Sequence, residues 1–197
     1  MSVSLICACK NRKAPLKISL SSWLLFKEIT EIIIVDWSSD ESLEHLTSLD
    51  SRIKIIRVEG QKYFNQPQPL NLALSQTTGD YIIKVDCDYV LSPYYSFFEK
   101  YKIDDNSFVS GKPAYKSPEY WDETVGNYMI DRSRMTMDEL SDYFNTYSSY
   151  YRFLTGLLYI SRENLLKVNG YNENLCDHYS YEDDEIYKRL ELLGLEH

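Results

Sequence analysis

Basic residues are few in this chain of 197 residues. It carries 21 lysines and arginines against 30 aspartates and glutamates, and its formal net charge at pH 7 is −9. Proteins that bind nucleic acids or anionic bilayers through charge need a basic surface. The acidic balance therefore argues against both partners. A small anionic ligand can still bind where a local arginine or a divalent cation reverses the sign.

Cysteine is also scarce. The four cysteines, Cys7, Cys9, Cys87 and Cys176, form neither a Cys-x-x-Cys pair nor a dense framework. Zinc sites and disulfide scaffolds are recognised by such spacings, so neither is indicated. Reduced thiols in the cytoplasm are the simplest interpretation.

Long apolar runs are missing as well. No run approaches the roughly 20 residues of a membrane-spanning helix. The first residues lead into a strand pattern without the basic and apolar regions of a signal peptide. We therefore expect a cytoplasmic protein. The last three residues, 195–197, resemble the start of a purification tag, so we expect the natural domain to be cut near Gly194.

Short apolar runs alternate with amphipathic segments through the first half of the chain. Hydrophobic residues make up 44% and charged residues 26%, as in an ordinary globular domain. Strands are predicted at 3–9, 31–36, 53–58 and 81–86, and helices at 16–27, 41–49 and 69–76. Such alternation is typical of βαβ units, and it predicts a single α/β domain with a mainly parallel sheet flanked by helices.

The second half is less regular. Between 103 and 150 the pattern is lost, apart from a candidate helix at 137–144. Order returns with a strand at 153–161, a helix at 162–168 and a last helix at 182–193. We find no internal repeat, low-complexity tract or linker.

Two carboxylates, Asp86 and Asp88, follow the fourth predicted strand. Residues two apart in an extended chain point the same way, so both carboxylates are expected to face one space and Cys87 the other. Such hard oxygen ligands suit Mg²⁺ or Mn²⁺. An Asp-rich turn at a strand end is the alternative, and the motif alone leaves both interpretations open.

Four adjacent carboxylates, 182–185, open the last predicted helix. They are compatible with a capping box in which Ser180 is the N-cap and Asp183 the third helical residue, and acids favour a helix start. One or two acids suffice for that role. Four repel one another and raise at least one pKa, as expected of a general base or a substrate-binding cluster. The cluster by itself does not decide between these interpretations.

Polar groups also follow the first two strands. Lys10-Asn11-Arg12 is a compact basic group, and Arg12 can form two bonds to a phosphate, although a solvated turn is the alternative. Asp36, with the polar residues 38–40, either binds a base or ribose or caps the helix predicted to begin near residue 41. Ligands of open α/β sheets bind outside the carboxyl ends of the strands. These groups are therefore candidates for one site.

The order of these motifs resembles family-two glycosyltransferases with the GT-A fold, the Rossmann-like fold of nucleotide-diphospho-sugar transferases. Lys10-Asn11-Arg12 resembles the family's Arg-Asn-Arg, residues 34–40 its Val-Asp-Asp-Gly-Ser-x-Asp, and residues 63–73 its Phe-Asn-Arg and Leu-Asn-x-Gly segments. Asp86-Cys87-Asp88 is the Asp-x-Asp. Residues 156–190 are similar to the β-1,4-galactosyltransferase and chondroitin-polymerase type, and the end of this block is the most specific part.

The resemblance implies an inverting, metal-assisted transfer of a sugar from a nucleoside-diphosphate donor, UDP-linked, to a carbohydrate or glycolipid acceptor. The implied cofactor is a divalent cation, Mn²⁺ or Mg²⁺. The implied donor-binding residues are Arg12, Asp36 and Asp86, the metal ligand is Asp88, the acceptor-binding residues are Glu182 and Asp184, and the base is Asp183. The resemblance further implies a role in polysaccharide or glycolipid assembly. It also implies peripheral association with the inner face of the membrane.

The same resemblance divides the domain, 1–194, into a nucleotide-binding half at 1–100 and an acceptor-facing half at 101–194. The chain departs from the family in that Trp37 replaces an Asp and Pro67 to Pro69 stand where a basic residue is common. The family's metal-ligating His lies beyond the last helix, so a truncated domain is expected. Two other functions stay open: a non-catalytic nucleotide- or carbohydrate-binding module of this fold, and a nucleotidyltransferase. The latter would more naturally carry a Gly-rich, basic phosphate loop, which this sequence lacks.

Overall fold

The structure is a computed structural model that describes residues 1–91, 97–110, 156–175 and 181–197. Its strands form one six-stranded sheet in the order β3-β2-β1-β4-β6-β5. Strands β1 to β4 are parallel, and β6 is antiparallel to both β4 and β5. The strand bounds are β1 Val3–Cys9, β2 Ile29–Trp37, β3 Ile53–Val58, β4 Tyr81–Val85, β5 Phe108–Ser110 and β6 Leu157–Ser161. The predicted α/β class with a mainly parallel sheet is confirmed.

Helices pack on both faces of this sheet. Their bounds are α1 Lys13–Trp23, α2 Pro67–Ser75, α3 Phe97–Lys100, α4 Arg162–Lys167 and α5 Glu182–Leu192, with short 3₁₀ turns at Glu44–Ser48 and Glu173–Leu175. No helix in the described ranges combines the length and apolar character needed to cross a bilayer.

The central strands are buried on both faces, which explains their continuous apolar sequences. Successive residues of β1 alternate between two core clusters, with Leu5 in one cluster and Ile6 in the other. Trp23 of α1 belongs to the first cluster, whereas Leu70 of α2 and Ile186 of α5 belong to the second. The helix of the acidic cluster therefore lies on the same face of the sheet as α2.

The helix predicted at 41–49 is wrong in extent, since only the 3₁₀ turn Glu44–Ser48 forms. The reason is local. The carboxylate of Asp36 accepts hydrogen bonds from the backbone N–H groups of Ser39 and Leu43, at 3.0 and 3.2 Å, so the chain wraps around it before any helix begins. The candidate helix at 137–144 and the first residues of the strand predicted at 153–161 lie outside the described residues.

Residues 195–197 run beside β5. The N–H of Phe108 donates to the carbonyl of Glu196 at 2.9 Å, and the N–H of Glu196 donates to the carbonyl of Asn106 at 2.7 Å. The ring of His197 stacks on Phe108 with 4.6 Å between centroids. Their interpretation as tag residues stays a prediction.

Candidate active site

The candidate site lies where β4 ends and β6 begins. Because β6 is antiparallel to β4, with Val85 opposite Leu157, the first residues of β6 lie at the carboxyl edge of the parallel strands. The N–H of Asp86 donates to the carbonyl of Gly156 at 3.0 Å. The topology thus places Gly156 beside Asp86 at the sheet edge where ligands of such folds bind.

A buried lysine joins this edge to the acidic helix. Lys84, on β4, has no exposed surface, and its Nζ lies 2.9 Å from Oδ1 of Asp183 and 3.0 Å from Oδ1 of Asp86. Asp183 itself is only 6% exposed. The carboxylate predicted as the base and a carboxylate predicted to contact the donor therefore share one ammonium group.

Gly156 holds the other side of Asp183. Its N–H donates to Oδ2 of Asp183 at 2.8 Å. Its φ is +88°, and a Cβ built on it would lie 3.1 Å from Oδ2 of Asp86. Only glycine adopts this conformation without strain and leaves that space free.

The electrostatics of the cluster follow from its burial. Burial alone would lower the pKa of Lys84, but the charges of Asp183 and Asp86 outweigh it and hold that pKa well above its usual value. Burial raises the pKa of Asp86 despite the neighbouring Lys84, and the charge of Asp183 adds to the increase. Burial also raises the pKa of Glu182. One ammonium group does not fully compensate the negative charge of several carboxylates that have lost most of their hydration.

Of the two interpretations of the acidic cluster, the capping box of Ser180 and Asp183 is wrong. The N-cap of α5 is Tyr181, at φ 88° and with no side-chain capping bond. Asp183 is then the second helical residue, and its carboxylate points to Lys84 and the N–H of Gly156 instead of back to the helix start.

The four acidic residues in the first turn of α5 lie in different environments. Glu182 is half-buried, Asp183 is buried and Asp184 is exposed. Glu185 forms an ion pair of 2.7 Å with Arg189 one turn later. Asp183 thus points into the protein, and Glu182 and Asp184 flank it in the sequence. Glu185 is paired with a residue of its own helix.

Asp88 and Arg12 contact each other. Arg12 donates to Oδ2 of Asp88 at 2.9 Å, and the two side chains are 55% and 33% exposed. The expectation that Asp86 and Asp88 share one orientation through extended geometry is wrong, because β4 ends at Val85 and the N–H of Tyr89 closes a turn on the carbonyl of Asp86. Asp86 contacts Lys84 and Gln66, whereas Asp88 contacts Arg12.

Cys87, between the two aspartates, is buried in the first core cluster as expected. A hydrogen bond to Cys9 raises the pKa of Cys87 and lowers that of Cys9. Among the described residues, Cys7, Cys9 and Cys87 are free thiols. Cys176 lies outside the described ranges.

Asp36 is completely enclosed by the protein. It has no exposed surface, and besides its bonds to Ser39 and Leu43 it accepts one of 2.6 Å from Arg57. A nucleotide would have to displace one of these groups to reach its carboxylate. The ammonium group of Lys10 is also bound within the protein, since its Nζ donates to the carbonyls of Trp37, Ser38 and Gln61. Of the basic group after β1, Arg12 is the member paired at the candidate site.

Lys84 was not among the site residues predicted from the sequence. Its one signal is a lysine inside an otherwise apolar strand, Tyr-Ile-Ile-Lys-Val. Asn71 was likewise given no role. Its side chain donates to the carbonyl of Tyr171 at 2.8 Å and accepts from the N–H of Tyr171 at 2.7 Å. Asn71 thereby ties α2 to the turn after α4.

Comparison with protein families supports this arrangement of motifs. The profile of glycosyl transferase family 2 matches residues 4–157, and that of the N-terminal domain of galactosyltransferase matches residues 135–197. The chain is 30% identical over 121 residues to the poly-beta-1,6-N-acetyl-D-glucosamine synthase of Staphylococcus aureus strain COL, an alignment that covers 58% of this chain and 29% of that protein. The chain therefore spans less than a third of the length of this curated relative.

Solved structures share the fold at low identity. The mannosyltransferase PcManGT of Pyrobaculum calidifontis, solved with GDP-Man and Mn²⁺, has a TM-score of 0.66 at 15% identity, with 98% of this chain and 53% of that chain covered. For Staphylococcus aureus TarS with UDP the TM-score is 0.61 at 15% identity, covering 96% and 55%. For the catalytic domain of Drosophila beta1,4galactosyltransferase 7 with xylobiose it is 0.58 at 16%, covering 99% and 63%. Likeness at these identities shows the GT-A fold, and the family-2 profile covers well over half of the sequence, so this chain belongs to glycosyl transferase family 2.

Proposed function

We propose that this chain binds a nucleoside-diphosphate sugar at the carboxyl edge of its sheet and transfers the sugar, with inversion, to a hydroxyl group of a carbohydrate acceptor. One observation carries the proposal. Two carboxylates from distant parts of the chain, Asp86 beside β4 and Asp183 on α5, converge on Lys84 at that edge. An inverting transfer needs one carboxylate as base next to the donor sugar, and this convergence supports such an arrangement.

On the donor side, Arg12 and Asp86 are the candidates for contact with the diphosphate and with the ribose or sugar. The Arg12 side chain is more than half exposed, and among the described residues its guanidinium is bonded to Asp88 alone, so a diphosphate can compete for it. Asp36 stays a donor-binding candidate. A donor would have to displace one of its three partners, of which Arg57 is the one that binds through its side chain. A UDP-linked donor is supported by the neighbour solved with UDP, and GDP is the first alternative because PcManGT was solved with GDP-Man.

A single carboxylate, that of Asp88, is the proposed protein ligand of a divalent cation. Carboxylate oxygens are the ligands that Mg²⁺ and Mn²⁺ prefer, and a cation held by one or two carboxylates completes its shell with water and phosphate oxygens. Within the part of the chain that the structure describes, no three His, Cys, Asp or Glu residues are arranged to hold an ion. Asp88 would hold the cation, which supplies positive charge for the departing diphosphate. Asp88 also contacts Arg12, so the guanidinium group is a second positive charge beside the proposed cation.

On the acceptor side, Asp183 is the proposed base. Each of its oxygens has one bond, to Lys84 and to the N–H of Gly156, and a carboxylate has about four lone-pair positions, so it can still accept a proton from an acceptor hydroxyl. Glu182 and Asp184 flank it and are proposed to hydrogen-bond the acceptor sugar. A carbohydrate acceptor is supported by the polysaccharide named in the Staphylococcus aureus relative. Cytoplasmic location and peripheral membrane association stay predictions.

The test measures binding and transfer separately. Calorimetric titration with UDP and GDP, with and without Mn²⁺, should show tighter binding with the ion. Incubation with UDP- and GDP-sugars and oligosaccharide acceptors should release the nucleoside diphosphate, and NMR of the product should show an inverted anomeric centre. Binding without transfer would favour the binding module. Synthesis of a nucleotide sugar from a nucleoside triphosphate and a sugar 1-phosphate would favour the nucleotidyltransferase.

A further inference from the structure

Lys84 occupies a position where an apolar side chain would satisfy the fold. It lies within β4 with no exposed surface, and its neighbour on the same strand face, Ile82, is buried in the second core cluster. Removing an ammonium group from water is costly unless anionic partners replace the lost hydration. The stability of the sheet alone therefore does not explain a lysine at this position.

The partners of Lys84 come from two elements that approach the site from different sides. Asp86 lies just after the end of β4, two residues along the chain from Lys84, and its Oδ1 is 3.0 Å from the lysine Nζ. Asp183 is 99 positions away on α5, and its Oδ1 accepts from the same Nζ at 2.9 Å. The position of each carboxylate relative to the other is thus set through one nitrogen atom.

Direct contact of Lys84 with substrate is excluded by its complete burial behind these carboxylates. Any effect of Lys84 on the reaction therefore passes through the groups to which it is bonded. Gly156 reinforces the same geometry, because it donates to the other oxygen of Asp183 and accepts from the N–H of Asp86.

We infer that Lys84 is a positioning residue that fixes the base carboxylate of Asp183 relative to the donor-contacting carboxylate of Asp86. This inference rests on the proposed function. Misplacement of a reacting group by about 1 Å costs on the order of 10²-fold in rate. Loss of Lys84 should therefore lower kcat, whereas the affinity for the nucleoside diphosphate, held by other groups, should change little.

The first experiment compares Lys84→Met, Lys84→Arg and Ile82→Met. We expect Lys84→Met to lower kcat by roughly 10- to 100-fold, with the Kd for UDP and Mn²⁺ changed by less than about threefold. Lys84→Arg keeps the charge and should recover part of kcat. Ile82→Met, a change of shape at the adjacent buried position of the same face, should leave kcat within about threefold of wild type. A purely structural lysine would change the melting temperature but not kcat per folded molecule.

A kinetic double-mutant cycle with Asp183→Asn makes the test independent of the folding of Lys84→Met. The double variant removes the ammonium group together with one of its carboxylates, so less uncompensated charge stays buried. If Lys84 acts through Asp183, the double variant should transfer sugar at the rate of Asp183→Asn alone, within about threefold. Losses that multiply, or a Lys84→Met variant with wild-type kcat, would overturn the role of Lys84 alone. Absence of transfer by the wild type would instead overturn the proposed function, and this role with it.

Discussion

The guanidinium of Arg12 lies 2.9 Å from the carboxylate of Asp88, and both side chains reach solvent. Exposed ion pairs of this kind contribute only about 0–1 kcal/mol to stability. The bond is therefore easily exchanged when a diphosphate approaches Arg12 and a cation approaches Asp88. The pair keeps both groups at the mouth of the candidate site at little energetic cost.

The first prediction concerns Asp88→Asn. Loss of the charged oxygen ligand should weaken the Mn²⁺-dependent part of UDP binding by about tenfold or more, because hard divalent ions bind carboxylates better than amides. Calorimetry with and without Mn²⁺ measures this difference. Asp80→Asn removes the same charge at the opposite end of β4, where Asp80 bonds to Ser2, and should change neither value. Unchanged Mn²⁺ dependence in Asp88→Asn would remove Asp88 from the metal site.

The second prediction concerns Asp183→Asn, which should lower turnover by on the order of 10²–10⁴ while UDP binding changes little, because a general base acts on the acceptor in the transition state. Glu185→Gln is the matched control. It removes a carboxylate from the same helical turn, but this carboxylate is paired with Arg189. Turnover by both variants should be compared at saturating donor. Near-native turnover by Asp183→Asn would exclude it as the base.

The third prediction uses Gly156→Ala. A side chain at φ +88° is strained, and its Cβ would press on Oδ2 of Asp86 at 3.1 Å. Gly60→Ala meets the same kind of backbone strain at φ +79°, but a Cβ there has no atom within 4 Å. We expect both variants to lose about 1–2 kcal/mol of stability, and Gly156→Ala alone to lose turnover. Equal turnover in the two variants would show that the contact with Asp86 does not matter.

The fourth prediction concerns Glu31, a buried carboxylate at the amino end of β2. Burial by itself raises the pKa of Glu31, but hydrogen bonds from Ser4 and Thr78 outweigh it and lower the pKa to about 2. A lowered pKa in the folded state means that this carboxylate stabilises the fold above the unfolded value of about 4.3, and that the contribution is lost as the pH falls from there towards 2.

The measurement is the free energy of unfolding of Glu31→Gln and of wild type as a function of pH. The variant should be less stable by on the order of 2 kcal/mol at pH 7, and the difference should shrink below about pH 4. Glu44→Gln, at an exposed position of the 3₁₀ turn, should show almost no difference at either pH. A difference for Glu31→Gln that is constant from pH 7 to pH 3 would contradict the assignment.

The fifth prediction compares two buried tyrosines. Tyr187 donates its hydroxyl to the carbonyl of Leu157 at 2.9 Å. The hydroxyl of Tyr171 has no hydrogen-bond partner among the described residues. Tyr187→Phe should therefore cost about 1–3 kcal/mol, because it removes a hydrogen bond to a buried carbonyl, while Tyr171→Phe should be neutral or stabilising. Denaturant unfolding of the two variants decides this, and a greater loss for Tyr171→Phe would reveal a partner for its hydroxyl.

The regular elements of the fold were predictable from local pattern. Strand β1 has the predicted bounds because a strand buried on both faces needs an unbroken apolar run, which is visible in sequence. The edge strand β3 also has the predicted bounds, although it is only partly buried. Helix α5 was predictable from the spacing of Ile186 and Leu190, which places both on one helical face. The helix expected at 41–49 failed because Asp36, outside that window, binds the N–H of Leu43.

By itself the sequence determined the fold class, the strand ends that carry Arg12, Asp86 and Asp88, and the acidic start of α5, since each depends on residues close together in the chain. Only the tertiary structure decided that Asp183 turns inward to Lys84, that Arg12 meets Asp88, and that Asp36 is enclosed by its own loop and Arg57. Periodicity predicts which face of an element is buried but not which side chain lies opposite. The pairing of Lys84 with Asp183 follows from the antiparallel return of β6 and the packing of α5 on the sheet, and no local pattern contains that information.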